Sequence, residues 1–131
     1  MTKNYYNLFL DDVRLPKQVT WINLPLVEWT IVRNYSQFTT TILRDGLPQF
    51  ISFDNDLAEE HYNPAMYSED VNEYNKLYET FAEKTGYDCA KWLVEYCIEH
   101  NQPIPDYSVH SMNPIGKKNI ISYIENFKTK M

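Results

Sequence analysis

At 131 residues the chain fits one domain of ordinary size and is long enough to bury a core without disulfide staples. Its 44% hydrophobic, 15% aromatic and 23% charged residues are a globular composition. A net charge of -6 argues against a grip on long duplex nucleic acid, which needs clustered Lys and Arg, and no apolar run nears the ~20 residues of a membrane helix. A nucleotide or a nucleic-acid end stays open, because a bound cation can offset local negative charge.

The polar start, Met1 to Tyr6, leads straight into a strand and carries no secretory pattern. Tyr5-Tyr6-Asn7-Leu8-Phe9-Leu10 reads as a buried first strand that stops at Asp11-Asp12. Pro16 and Pro25 keep the next stretch irregular, with Trp21, Leu24, Leu26 and Trp29 expected to pack. Trp29 to Arg33 is the second strand. Ser36 is the expected cap of a helix with Phe38, Ile42 and Leu43 inside and Gly46 as its stop.

Gln49 to Phe53 is the third strand, again followed by acids, at Asp54 and Asp56. Residues 57–84 read as an acidic, tyrosine-rich insertion, part of it helical because Val71, Tyr74, Tyr78 and Phe81 recur at helical spacing. Thr85 with Asp88 forms a capping box. The helix it opens places Cys89, Leu93 and Cys97 on one line beside Trp92 and Tyr96. Eight residues of helix separate the two cysteines by ~12 Å, too far for a disulfide, so both should be reduced core thiols in a cytoplasmic protein. Tyr107 to Ser111 is the fourth strand. Asn113-Pro114 then supplies a cap and a first-turn proline for a last helix buried through Ile120, Ile121, Ile124 and Phe127.

Alternating strands and helices predict an α/β fold, a mainly parallel sheet of about four strands with helices on both faces, as a single domain over 1–131. Ligands of such sheets bind beyond the carboxyl ends of the strands. Asp11-Asp12, Asp54-Asp56 and His110-Ser111 all fall there.

A single aspartate in such a place is an ordinary turn residue. Two acidic clusters on one sheet edge repel each other unless a cation or protons relieve them. Asp11, Asp12, Asp54 and Asp56 are therefore the expected metal ligands, and an all-oxygen set suits Mg2+ or Mn2+. His110 is the expected proton carrier near neutral pH, against the plainer reading of a core histidine bonded to backbone. Ser111 and Asn113 open a helix whose free amides can receive an anion, and Lys117 and Lys118 follow in its first turns. Arg14 can either grip a phosphate or pair with the neighbouring acids. His61 is a further candidate in the insertion, Tyr62 and Tyr67 can stack on a base or pack within the loop, and His100 reads as a helix terminus.

The run Leu8-Phe9-Leu10-Asp11-Asp12-Val13-Arg14-Leu15-Pro16 resembles the start of the cyclic-phosphate-processing receiver-like domains. The resemblance continues through Trp29 to Tyr35, Ile51 to Leu57, Thr85 to Ala90 and His110 to Ile120, nearly the whole chain in one order. It implies a receiver-type sheet, strand order 2-1-3-4, with an acidic metal pocket. It also implies processing of a cyclic phosphate, such as a 2′,3′-cyclic end on RNA or a nucleotide. By that resemblance Asp11 and Asp12 are the metal pair, Asp54 and Asp56 the acids of the third strand, and His110, Ser111 and Asn113 the late polar motif. Catalysis would fall to Asp54, His110 and Ser111, and substrate binding to Arg14, Asn113, Lys117 and Lys118.

One departure stands out: Asn55 occupies a position where the family often has histidine, and an amide cannot relay protons. The chain also lacks a full helix after the first strand and, after the fourth, a fifth strand. The expected activity is that of a metal-dependent phosphoesterase acting on a phosphorylated small molecule or an RNA end. The alternatives are a non-catalytic cyclic-nucleotide-binding module and a phosphoacceptor switch at Asp54.

Overall fold

A computed structural model describes residues 6–57 and 84–129. The expected helix through Val71, Tyr74, Tyr78 and Phe81, and the candidates His61, Tyr62 and Tyr67, lie outside the described residues. Four strands, β1 (Asn7–Leu10), β2 (Thr30–Val32), β3 (Phe50–Phe53) and β4 (Asp106–Val109), form one sheet in the order β2-β1-β3-β4. Every pairing is parallel, with Leu10 opposite both Val32 and Phe53, and Phe53 opposite Val109. The described residues also form three α-helices: α1 (Tyr35–Asp45), α2 (Gly86–Glu99) and α3 (Pro114–Lys128).

Side chains alternate across a sheet, and register partners share a face. Leu8, Leu10, Ile51, Phe53 and Val109 therefore point one way. They form one core with Phe38 and Ile42 of α1, Cys89, Leu93 and Cys97 of α2, and Ile120 and Ile124 of α3. Phe9, Ser52 and Ser108 point the other way. All three described α-helices thus gather on the first face; in place of the α-helix expected on the second, the described residues put the segment after β1 there. That segment holds the 3-10 turn Pro16–Gln18 as its regular structure. Handedness accounts for this, since a right-handed connection leaving β1 toward β2 must cross the face opposite to connections running the other way along the sheet. Trp29 packs edge-on against Phe9 and Phe50 there, whereas Leu26 is wholly exposed and Trp21 only partly covered, so the expected packing of this segment is incomplete.

The helix boundaries differ from expectation in one place. Asn34, not Ser36, caps α1: its backbone is extended and its side chain accepts from the Gln37 amide at 2.8 Å. The arginine and asparagine before Tyr35 leave β2 early, so the first competent cap takes the helix. With Phe38 and Ile42 inward, Leu43 is turned ~100° further round and lies 64% exposed. Gly46 stops the helix with φ 85°, a left-handed conformation that only glycine adopts at no cost. The Thr85–Asp88 capping box, the Asn113 cap and two buried cysteines that form no disulfide are all present.

Candidate functional site

The sheet register builds the site. Because Leu10, Phe53 and Val109 lie side by side, the residues that follow them emerge at one level. Backbone bonds extend the ladder by that one residue: the Asp54 amide donates to the Leu10 carbonyl at 2.9 Å, and the His110 amide to the Phe53 carbonyl at 2.9 Å. Asp11 is fixed in the same way, by its amide on the Val32 carbonyl at 3.1 Å. Asp11, Asp54 and His110 are thereby brought together, each buried, each offering a donor atom within 4.8 Å of the others.

Asp11 is the best satisfied of the three. Its Oδ1 accepts from the Val13 and Arg14 amides at 3.0 and 2.9 Å, and its Oδ2 from His110 Nε2 at 3.1 Å. The Arg14 guanidinium stands 3.5 Å from the same Oδ2. Burial opposes its charge, but the His110 bond and the two amides prevail and hold its carboxyl down to about 2.

Asp54 is the opposite case. Its Oδ1 accepts from the Asn55 amide at 2.8 Å, while its Oδ2 is the one buried side-chain polar atom without a partner among the described residues. Burial, then the charges of Asp11 and Asp56, push its carboxyl well above the ordinary carboxylate range. Asp56 is also raised by burial, to about 6, although the Asn113 side-chain amide at 3.2 Å favours its charge. Asp12 is half-exposed and adds to the negative field at both acids.

His110 is fully buried and held at both ring nitrogens. Nδ1 lies 2.7 Å from Ser52 Oγ, which in turn accepts from Ser108 Oγ at 3.0 Å. The ring stacks on Phe9 with centroids 4.6 Å apart and planes 4° from parallel. Trp21 Nε1 donates to the His110 carbonyl at 2.7 Å. His110 therefore sits against Asp11 and not across a cavity from it, and the expected proton transfer would require one of its ring bonds to open.

The late polar motif shapes the loop before α3. Ser111 is buried and its Oγ accepts from the Asn113 amide at 3.1 Å. Asn113 Oδ1 accepts from the Gly116 amide at 3.0 Å while its Nδ2 reaches Asp56. Asn113 positions the helix and Asp56, and Ser111 positions Asn113. Lys117 is half-buried and Lys118 exposed, and neither forms an ion pair among the described residues. At the rim the Arg14 guanidinium lies 5.1 Å above the Trp21 ring.

Four contributors escaped the sequence reading. Ser52 sits two residues before Asp54, and so on the second face; a polar residue inside an apolar strand was the available signal. Arg33 donates to the Asp11 and Arg14 carbonyls at 3.0 and 2.6 Å and braces the loop after β1. Trp21 carried no periodic signal. Asn55 is a buried clamp, its carbonyl taking the Gly86 amide at 2.8 Å and its side-chain oxygen the Tyr87 amide at 3.2 Å.

Asp11 and Asp54, with His110, are the described residues that could hold a divalent ion. The chemistry fits: a buried carboxylate oxygen without a donor is stabilised by a cation or, failing that, by a proton. Acids at the strand ends of a parallel sheet, with four strands and three α-helices among the described residues, define a receiver-like α/β domain. The family model of the cyclic-phosphate processing receiver domain matches residues 6–126, and the chain belongs to that family. No curated protein and no solved structure matches it. No helix of the described residues is long and apolar enough to cross a membrane.

Proposed function

We propose that this domain is a metal-dependent phosphoesterase that opens a cyclic phosphate, with 2′,3′-cyclic ends of RNA or nucleotides as the leading substrate class. The observation that carries the reading is the unpartnered Asp54 Oδ2 beside Asp11, at the sheet edge where such folds bind ligands. A divalent ion, Mg2+ or Mn2+, would supply Lewis acidity at the phosphate. Asp11 and Asp54 would hold it, with Asp12 and Asp56 completing the negative field. Arg14, its guanidinium 3.5 Å from Asp11 Oδ2, would orient the phosphate, with Lys117 and Lys118 steering it from the start of α3. Water adds to phosphorus, one ring P–O bond breaks, and its oxygen leaves as a hydroxyl, giving a phosphomonoester.

A second reading has its own support. His110 and Ser111 are buried with their polar atoms engaged, which suits a module that retains a cyclic nucleotide without cleaving it. One experiment separates the two. Cyclic mononucleotides, cyclic dinucleotides and RNA with a 2′,3′-cyclic end are incubated with the protein and Mg2+ or Mn2+, and both retention and new phosphomonoesters are scored. Product that disappears with EDTA and in Asp54→Asn supports the phosphoesterase. Retention without product supports the binding module, and neither outcome with any of the three classes rejects both.

A further inference from the structure

We infer that His110 Nε2 is itself a metal ligand, third to Asp11 and Asp54, and that the site prefers a first-row transition ion to magnesium. This rests on the metal-dependent reading above and changes the role of the histidine within it.

The geometry is that of two neighbouring ligands. First-row ions bind imidazole nitrogen and carboxylate oxygen at ~2.0–2.2 Å. Two such donors at right angles lie ~3.0 Å apart and at a tetrahedral angle ~3.4 Å. Asp11 Oδ2 and His110 Nε2 are 3.1 Å apart. Asp54 is the third corner, offering a carboxylate oxygen within 4.8 Å of a ligand atom on each of the other two and an Oδ2 that is buried and without a donor. Without a cation Nε2–H donates to Asp11. With one, the neutral ring carries its single proton on Nδ1 instead, after exchange with solvent, and Nε2 presents its lone pair.

The surroundings accommodate that exchange. Nδ1 faces a hydroxyl, and a hydroxyl can accept as readily as donate. Ser52 can receive Nδ1–H and turn its own O–H to Ser108, so both tautomers are satisfied by the same pair of serines. A metal-binding histidine is generally held in this way at its far nitrogen. Phe9 beneath the ring and Trp21 on the backbone carbonyl fix its position before any ion arrives. Imidazole suits Fe2+ and Zn2+, and Mn2+ takes one beside carboxylates more readily than Mg2+, which takes oxygen donors and keeps its waters. Ser52 is then a positioning residue.

The test uses the full chain stripped of metal. Mn2+ should bind at least tenfold more tightly than Mg2+ by calorimetry, and pulsed EPR of bound Mn2+ should show coupling to one imidazole nitrogen. His110→Asn should abolish that coupling. The wild-type spectrum decides even where the variant does not fold. Ser52→Ala should weaken Mn2+ roughly 10–100-fold while keeping the coupling, and Ser52→Thr should restore affinity. Mn2+ bound through Asp54 with no nitrogen coupling overturns the ligand role of His110 and leaves the metal-dependent reading standing. Absence of binding by either ion overturns both. Ser52→Ala with unchanged affinity overturns the positioning role of Ser52.

Discussion

Gly86 approaches β3 so closely that a Cβ on it would lie 1.7 Å from the Asp54 carbonyl oxygen. The first turn of α2 therefore rests directly on the backbone of the site, with the Gly86 amide on the Asn55 carbonyl at 2.8 Å. Backbone cannot swing aside as a flexible side chain can. Gly86→Ala should cost at least about 3 kcal/mol, the upper end for overpacking, in urea denaturation. Glu99→Ala, on the exposed last turn, should stay within about 0.5 kcal/mol. Equal effects from the two would show that the contact is not tight.

Gly116 meets the Asn55 side chain instead, with a Cβ 2.5 Å from its Nδ2. Gly116→Ala should therefore destabilise through that one partner. In a double-mutant cycle with Asn55→Ala the two changes should be less than additive, with a coupling of roughly 0.5–3 kcal/mol. Additive losses would mean that another neighbour carries the strain.

Added divalent ion should raise the melting temperature, because it binds the native state alone. At a hundred times its Kd the gain is about 2.7 kcal/mol. Asp54→Asn should remove most of that gain, yet stabilise the metal-free protein at any pH high enough to ionise Asp54, by deleting a buried, repelled charge. Glu95→Gln, exposed on α2, should alter neither. An Asp54→Asn protein that still responds fully to metal would displace Asp54 from the site.

In the metal-free protein stability should fall as the pH rises from about 4 to 8. Asp54 and Asp56 have folded values above the unfolded value of about 3.9. Their contribution is full below that value and is lost as pH passes about 6 for Asp56 and higher for Asp54. Asp11 runs the other way: its stabilisation holds above pH 4 and is lost as pH falls through about 2. Urea midpoints should thus peak near pH 4, and Asp56→Asn should flatten the slope between pH 4 and 6. A midpoint that rises steadily to pH 8 would contradict the raised values.

Cys97 is buried, and burial pushes its thiol up to about 11. Both cysteines should resist Ellman's reagent at pH 8 in the native protein and react fully in guanidinium. Prompt reaction of either native thiol would mean that α2 opens readily.

The edge that carries the site was readable because each polar cluster directly follows an apolar strand, and parallel topology sends all such ends the same way. The Asn113 cap and the Thr85–Asp88 box were readable because their partners lie three residues away. What was hidden depends on contacts far apart in sequence. His110 reads equally well as a free acid or a core residue until Phe9 is found beneath it. Trp21 meets its carbonyl partner across 89 positions. Asn34 and Ser36 are both competent caps, and only the exit of β2 decides between them. Gly86 and Gly116 look like ordinary helix-start glycines until Asp54 and Asn55 are seen against them.

The all-parallel order has a kinetic consequence. Asp11, Asp54 and His110 can meet only after the chain has closed two long crossovers, and contacts of that separation form late and slowly. A ligand that bridges them has little to hold in the transition state, so it should leave the refolding rate almost unchanged. Its stabilisation should appear as slower unfolding. In a chevron plot the divalent ion should lower the unfolding limb and leave the refolding limb in place, so that the bound ion acts as a latch on a sheet already assembled.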